Sequence, residues 1–410
     1  MTDTRARIWI PLVAAALTCC GLSIARAAPD EELLGKGLGY PVGTRATWFA
    51  DEKVRVGSFS QLDSILPHNT LARAEAPRPL PAAAETPAYV YAGRTIDDFL
   101  ARRRITGLMV IKDGVVQIER YQYDRTPAHR FLSNSMAKSI TSIAVGIALQ
   151  EGLIKSLDDN AAVYVPELAG APYGETPIRA LLRMSSGVKF SERYDGNDDL
   201  MKDVVRQHRE GTFAALRGFS TRDLPPGQRF QYASVETIAL GLVVRGATGR
   251  TLSDSVAEKL WRPMGAEADA TWTVDPGRVE YAWGNFNATL RDWGRLAILL
   301  ADDGARDDRQ IIPRDYLREA TDFTRHPAAF APRIATPYFG YGYQFWTYPT
   351  KVRRFALLGV FGQSIFVDPR LRLALVITAA QREANSSTDG FGAERDQLWR
   401  ALVQHHGGSW

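Results

Sequence analysis

The amino-acid sequence predicts an α+β fold, in which an antiparallel sheet flanked by helices is built from two separated parts of the chain. A mostly helical domain is inserted between them. The prediction rests on strand-like apolar runs near both ends of the chain and on helical patterns between them. The runs lie at 107–112 and 115–121, around Asp113-Gly114, and at 362–367 and 371–378, around Asp368-Pro369-Arg370. Apolar runs on either side of a short turn sequence are typical of antiparallel hairpins.

Helices are predicted where apolar residues recur every three or four positions. These patterns lie at 135–151, which Gly152 ends, at 235–247, before Gly249, and at 289–300, where Thr289 and Asp292 have the spacing of a capping box. An aromatic stretch at 338–348 is predicted as a further strand. The sheet domain would then comprise 96–139 and 286–410, and the helical domain 140–285. Clefts between two such domains commonly hold active sites.

The first 27 residues have the pattern of a secretory signal peptide. Arg5 and Arg7 precede an uncharged apolar run at 8–24, and Ala25-Arg26-Ala27 supplies a small-x-small cleavage site. An uncleaved anchor is the alternative, since the apolar run is at the short limit for a membrane span. We expect cleavage near Ala27, a periplasmic or secreted protein, and no stable membrane insertion afterwards. Residues 28–95 are rich in Pro, Gly and Ala and predict an extended arm with little regular structure.

Composition excludes several classes of function. The 410 residues are 45% hydrophobic and carry a net charge of +4, without a Lys/Arg-rich run, so nucleic-acid binding is not indicated. Both cysteines, Cys19 and Cys20, lie in the signal segment. A thiol nucleophile or thiolate metal site is therefore not expected in the mature chain. The six histidines have no metal-ligand spacing, and we expect no metal and no cofactor.

Ser135 and Lys138 have the spacing of a nucleophile and its base. If Ser135 begins a helix, Lys138 lies one turn further on the same face, where its amine can reach the hydroxyl. A charged lysine is a poor base, so catalysis requires a pKa lowered by burial or by a cationic neighbour. The alternative interpretation is a helix-capping serine beside a solvated lysine. Ser186 and Lys189 share the spacing, but Gly187 and Val188 oppose helix initiation between them.

Two further segments are weak indications when each is taken alone. Tyr232-Ala233-Ser234 follows a Pro-Pro-Gly turn and directly precedes a predicted helix, which also suits a packed aromatic and a capping serine. LLGVFGQ at 357–363 leads into a strand, and its glycines would let a ligand approach the backbone closely.

Together and in this order, the segments resemble the serine β-lactamase and penicillin-binding-protein superfamily, especially its class C-like esterases. Ser135-x-x-Lys138 matches the SxxK motif, and Tyr232-Ala233-Ser234 stands where the family has Tyr-x-Asn. Three connecting segments also resemble the family: LLRMSSGV at 181–188, PGQRFQY at 226–232 and RPMG at 262–265. The resemblance covers about 100–380 and implies a β-lactamase-like fold.

Within that superfamily, the sequence most resembles the 6-aminohexanoate-dimer hydrolases and related esterases. The supporting features are Ser234 in place of Asn, the GVFGQ segment at 359–363 and YPVGTRATW at 40–48. In those relatives a tyrosine on a loop of the helical domain contacts the scissile amide. Tyr194 is the best match, and an ordinary surface or core tyrosine is the alternative.

The resemblance implies a mechanism for these residues. Ser135 attacks a carbonyl, Lys138 accepts or relays its proton, and Tyr232 passes a proton to the leaving group. The backbone amides of Ser135 and Val360 form the oxyanion hole, and Gly359 and Ser234 contact substrate. Pro166-Glu167-Leu168 is similar to the deacylating segment of class A β-lactamases but follows the nucleophile too soon, so we interpret Glu167 as a loop carboxylate.

The sequence therefore predicts an exported serine hydrolase that cleaves small esters or linear amides through an acyl-enzyme on Ser135. The partner is a small-molecule ester or amide substrate. One alternative is a β-lactamase or D-alanyl-D-alanine carboxypeptidase, and another is an inactive relative that binds cell-wall fragments. The aligned LLG at 357–359 is apolar where β-lactamases carry a Lys or His, which favours the ester and amide substrates.

Overall fold

The computed structural model describes residues 27–194 and 197–410. The predicted signal segment at 1–27 lies outside these ranges apart from Ala27. Within them, the α-helices are α1 (Glu52–Ser58), α2 (Ile96–Leu100), α3 (Ala137–Gln150), α4 (Ile178–Leu182), α5 (Asp199–Glu210), α6 (Thr212–Arg217), α7 (Ser234–Thr248), α8 (Leu252–Val256), α9 (Leu290–Ala301), α10 (Arg314–Thr321) and α11 (Phe391–His405). The strands are β1 (His68–Leu71), β2 (Val90–Tyr91), β3 (Arg94–Thr95), β4 (Ile105–Lys112), β5 (Val115–Tyr121), β6 (Arg130–Leu132), β7 (Ala270–Thr273), β8 (Phe286–Thr289), β9 (Ala305–Arg306), β10 (Arg309–Gln310), β11 (Gly340–Tyr341), β12 (Trp346–Thr347), β13 (Phe355–Leu358), β14 (Ser364–Asp368) and β15 (Leu373–Ala379).

The main sheet has seven antiparallel strands in the order β11-β12-β13-β14-β15-β4-β5. The β4–β5 hairpin from the first part of the chain thus pairs, through β15, with strands from the last part. Asp113 and Gly114 form the hairpin turn with φ of 53° and 77°, the left-handed conformation that two-residue hairpin loops require. The predicted α+β fold is confirmed.

Both faces of this sheet are covered, because successive side chains of a strand point to opposite faces. On β4, Met109 and Ile111 belong to one buried cluster and Leu108 and Val110 to another. Helix α9 packs in the first cluster and α11 in the second, so the sheet lies between two helical layers. This double burial explains why its central strands have nearly continuous apolar runs.

The helical part of the chain packs around α3 and α7, which lie against each other. The apolar spacing at 135–151 and 235–247 predicts both helices, and their bounds differ from the prediction by one or two residues. Gly249 ends α7 in the left-handed conformation at φ 67°. Thr289 caps α9 by accepting a hydrogen bond from the Asp292 amide.

The structure differs from the sequence prediction in three places. The arm contains a seven-residue helix, α1, and a strand, β1, that pairs with β7 in a second sheet of order β1-β7-β8-β6. Strand β7 falls in the segment predicted as mostly helical. The aromatic stretch at 338–348 forms two short strands, β11 and β12, instead of one. A Cβ at Gly342 would lie 1.9 Å from the Ala320 carbonyl oxygen, so the chain turns there against a neighbouring segment.

Among the helices in the described ranges, none is both long and apolar enough to cross a membrane.

The amino end of α3 lies against the segment that follows β13, and this contact positions the candidate site. The Asn134 side-chain amide donates a hydrogen bond of 3.0 Å to the Val360 carbonyl oxygen. A Cβ on Gly359 would lie 2.5 Å from the Ser133 carbonyl oxygen, so only glycine allows this approach. The sheet and helix α3 therefore meet at Ser135.

Candidate active site

Ser135 and Lys138 lie together at the start of α3. A 3₁₀ turn at Asn134–Met136 leads into the helix and places both side chains on one face. The Lys138 amine donates hydrogen bonds to Ser135 Oγ, at 2.8 Å, and to the Trp283 carbonyl oxygen, at 2.9 Å. Lys138 is 1% exposed and Ser135 is 8% exposed. The structure therefore brings Ser135 and Lys138 into the contact that their spacing predicts.

The surroundings of Lys138 make it a usable base. In the part of the chain that the structure describes, no carboxylate lies within ion-pair distance of its amine. Burial lowers the pKa of Lys138 to about 7, although the negative charge of Glu192 raises it in part. The amine also lies 5.1 Å from the Tyr232 ring centroid and 5.5 Å from that of Trp283. Near pH 7, a substantial fraction of the amine is neutral and can accept a proton.

Tyr232 lies beside the same pair, immediately before α7. Its ring stacks on Trp346 with centroids 5.5 Å apart and packs edge-on against Tyr341. Burial, helped by the charge of Glu192, raises the pKa of Tyr232 well above its ordinary value, while a side-chain hydrogen bond with Ser135 lowers it in part. Tyr232 is therefore a neutral phenol at pH 7, which can donate or relay a proton.

Glu192 is the residue of this site that sequence reasoning missed. Its carboxylate accepts hydrogen bonds from the Ser234 amide and hydroxyl, both at 2.8 Å, and from the Tyr194 hydroxyl. It belongs to no motif, and its partner Ser234 lies 42 positions further along the chain. The predicted substrate contacts Tyr194 and Ser234 are thus brought together through a shared carboxylate.

Asp198 also holds the loop that carries Tyr194. That carboxylate accepts a hydrogen bond of 2.6 Å from the Tyr194 amide and also caps α5 by accepting from the Met201 amide at 3.0 Å. Tyr194 itself has a left-handed backbone with φ of 59°. The loop, helix α5 and the start of α7 therefore form one hydrogen-bonded unit next to Ser135.

The predicted oxyanion residues, Ser135 and Val360, line one cleft of about 800 Å³. Trp283, Asn285 and Tyr194 line it as well. Gly359, which precedes Val360, donates its amide to the Gln363 carbonyl oxygen at 2.9 Å. Phe361 follows with a left-handed φ of 59°, so the chain turns sharply just after Val360.

Ser186, the serine of the second Ser-x-x-Lys spacing, has surroundings different from those of Ser135. Ser186 is fully buried, and its hydroxyl donates a hydrogen bond of 2.6 Å to Glu236, whereas Lys189 is exposed. Burial raises the pKa of Glu236 to about 8, although the hydrogen bonds from Ser186 lower it in part. Ser186 therefore bonds a buried carboxyl group instead of a lysine.

Glu167 is exposed on a short 3₁₀ turn, and its backbone carbonyl accepts a hydrogen bond from Arg217.

Across 27–194 and 197–410, no three His, Cys, Asp or Glu side chains are grouped closely enough to hold a metal ion.

Comparison with known proteins identifies the family. The family model described as Beta-lactamase matches residues 92–397. The 6-aminohexanoate-dimer hydrolase of Paenarthrobacter ureafaciens is 25% identical over 334 residues, which are 78% of this chain and 83% of that protein.

Solved structures agree with this match. A putative 6-aminohexanoate-dimer hydrolase from Bacillus anthracis superposes with a TM-score of 0.75 at 20% identity, over 88% of this chain and 96% of that one. A family VIII carboxylesterase superposes with a TM-score of 0.56 at 18% identity, over 74% and 93% of the two chains. The resemblance predicted from the motifs is therefore confirmed, and the chain belongs to the beta-lactamase family as a hydrolase related to the 6-aminohexanoate-dimer hydrolases.

Proposed function

We propose that the protein is a serine hydrolase that cleaves small esters or linear amides through an acyl-enzyme on Ser135. The observation that carries the proposal is the 2.8 Å contact between the buried Lys138 amine and Ser135 Oγ. A lysine whose pKa is lowered to about 7 can take the serine proton without a histidine or a metal ion.

The proposed reaction has two halves. Ser135 Oγ bonds to the substrate carbonyl carbon, and its proton passes to the neutral amine of Lys138. The backbone amides of Ser135 and Val360 stabilise the oxyanion. Tyr232 then gives its proton to the leaving alkoxide or amine as the ester or amide bond breaks, and recovers a proton through Lys138. Water attacks the acyl-enzyme by the same route and releases the acid.

Hydrolysis of p-nitrophenyl butyrate by purified variants tests this proposal. Because the two residues act as one unit, we expect Ser135→Ala and Lys138→Ala each to lower kcat/KM by roughly a thousandfold or more, with non-additive losses in the double variant. Ser186→Ala is the matched control, because its hydroxyl bonds Glu236. Its thermal unfolding should be recorded to establish that it folds. Full activity in Ser135→Ala would refute the proposal.

We also propose that the protein is exported, with cleavage near Ala27. The proposal rests on the apolar run at 8–24 and the Ala25-Arg26-Ala27 pattern. Amino-terminal sequencing of the protein from the periplasm or medium should begin near Ala28. A mature protein that begins at Met1 would contradict cleavage.

A further inference from the structure

The cleft beside Ser135 is larger and more apolar than a short ester requires. Its volume of about 800 Å³ is near the upper end for small-molecule sites. One wall comes from α5, where Leu200 and Val204 lie one turn apart, and another from Trp48 and Phe49 of the arm. These walls suit an extended hydrocarbon chain.

The position of Tyr232 indicates which part of the substrate enters this cleft. Ser135 and Val360 line the cleft, whereas Tyr232 and its stacking partner Trp346 do not. Under the proposed mechanism the leaving group departs toward Tyr232, and the carbonyl oxygen points to the amides of Ser135 and Val360. The remaining substituent of the carbonyl, the acyl chain, is then directed into the cleft.

The mouth of the cleft carries positive charge. Arg45 from the arm and Arg209 from the last turn of α5 line the cleft. Both side chains are exposed, which places them at its mouth, whereas Ser135 lies deeper and is 8% exposed. Within the described residues, neither arginine has a carboxylate partner, and no Asp or Glu lines the cleft. Burial raises the pKa of the cleft residue Tyr281 to about 12, the charges of Asp275 and Asp203 raise it further, and the charge of Arg45 lowers it in part. Tyr281 therefore lies within reach of the Arg45 charge as well as of two buried Asp side chains.

We propose that the cleft selects acyl chains that end in a carboxylate, which Arg45 and Arg209 bind at the mouth while the hydrocarbon lies against α5 and the arm. The substrates are half-esters or half-amides of aliphatic dicarboxylic acids. Hydrolysis transfers the acyl group to Ser135, with the proton going to the leaving group, and water then releases the free dicarboxylic acid. A chain ending in an ammonium group is disfavoured by the same charges. This inference rests on the proposed function.

The test compares three p-nitrophenyl esters of equal chain length: the mono-ester of octanedioic acid, the ester of octanoic acid and the ester of 8-aminooctanoic acid. We expect kcat/KM for the carboxylate-ended ester to exceed that for the ammonium-ended ester by about ten- to a hundredfold at low salt. The preference should shrink at high ionic strength, because the arginines are exposed.

Charge-removing variants identify the residues responsible. Arg45→Gln combined with Arg209→Gln should lower the ratio of kcat/KM for the carboxylate-ended ester to that for the octanoyl ester. Arg314→Gln is the matched control, since Arg314 is exposed on α10 outside the cleft, and should leave the ratio unchanged. An unchanged ratio in the double variant, or faster turnover of the ammonium-ended ester, would overturn the inference.

A binding measurement separates this inference from the proposed function. Calorimetry of octanedioate with the Ser135→Ala protein needs no turnover and should show binding that weakens in the Arg45→Gln/Arg209→Gln background. If that binding is present but p-nitrophenyl butyrate is not hydrolysed by the intact enzyme, the proposed function fails and the anion site stands. If butyrate is hydrolysed but octanedioate binds no better than octane-1,8-diamine, the anion site fails alone.

Discussion

The carboxylate of Glu192 accepts two hydrogen bonds from Ser234, one from its amide and one from its hydroxyl, each 2.8 Å long. Through this contact the loop before α5 is attached to the start of α7. The negative charge of Glu192 acts on the amine of Lys138, where it opposes the effect of burial on the pKa. Under the proposed mechanism, Glu192 is a positioning residue that also influences the base.

Glu192→Gln should shift the pH dependence of catalysis. Removing the negative charge takes away a contribution that raises the pKa of Lys138, so the neutral amine persists to lower pH. In the pH profile of kcat/KM, the acidic limb lies near pH 7 in the unaltered enzyme. We expect it to move to lower pH by up to about one unit. Glu167→Gln, at an exposed loop carboxylate, is the control and should leave the limb in place. A limb that stays in place or moves to higher pH in Glu192→Gln would contradict this role.

Glu236→Gln should change how stability depends on pH. Burial raises the pKa of Glu236 from 4.5 to about 8, so the folded state favours the neutral carboxyl group. Its contribution to stability is fully present below the unfolded pKa and is lost as the pH rises toward 8. We expect the free energy of unfolding of Glu236→Gln, relative to that of the unaltered protein, to increase by roughly 2–4 kcal/mol as the pH rises from 5 to 9. Urea unfolding at several pH values measures this, and a difference independent of pH would refute it.

Simple esters should be better substrates than β-lactams. By the motif resemblance, Leu357 stands where β-lactamases have a Lys or His, and in the structure it is 1% exposed in an apolar cluster. A missing charge-assisted hydrogen bond removes about 1.5–3 kcal/mol of binding, roughly ten- to a hundredfold, from substrates that depend on it. The kcat/KM for p-nitrophenyl butyrate should therefore exceed that for nitrocefin at least tenfold on the same preparation. Equal or faster nitrocefin hydrolysis would favour a β-lactamase instead.

Local sequence features predict the helices and hairpins because short-range interactions determine them. The turn at Asp113-Gly114 requires left-handed backbone that this dipeptide adopts readily, and Gly249 ends α7 for the same reason. The contact between Lys138 and Ser135 is also local, since the two residues lie one helical turn apart.

Features that depend on distant parts of the chain could not be predicted in this way. Strand β1 forms by antiparallel pairing with β7, at Ala270–Thr273, and nothing within the arm itself indicates that partner. Glu192 has a role only because folding brings it to Ser234. Arg45 lines the cleft only because folding brings the arm and α5 to the same cavity.

Covalent labelling tests the central claim most directly, namely that Ser135 is the nucleophile activated by Lys138. The purified mature protein should be treated with a fluorophosphonate probe, followed by intact-mass measurement and peptide mapping. The account predicts one added probe per chain, located on Ser135, with none on Ser186 and much slower labelling in Lys138→Arg, because a guanidinium does not accept the serine proton. Unchanged labelling of the Ser135→Ala protein, or a label mapped to another serine, would contradict it.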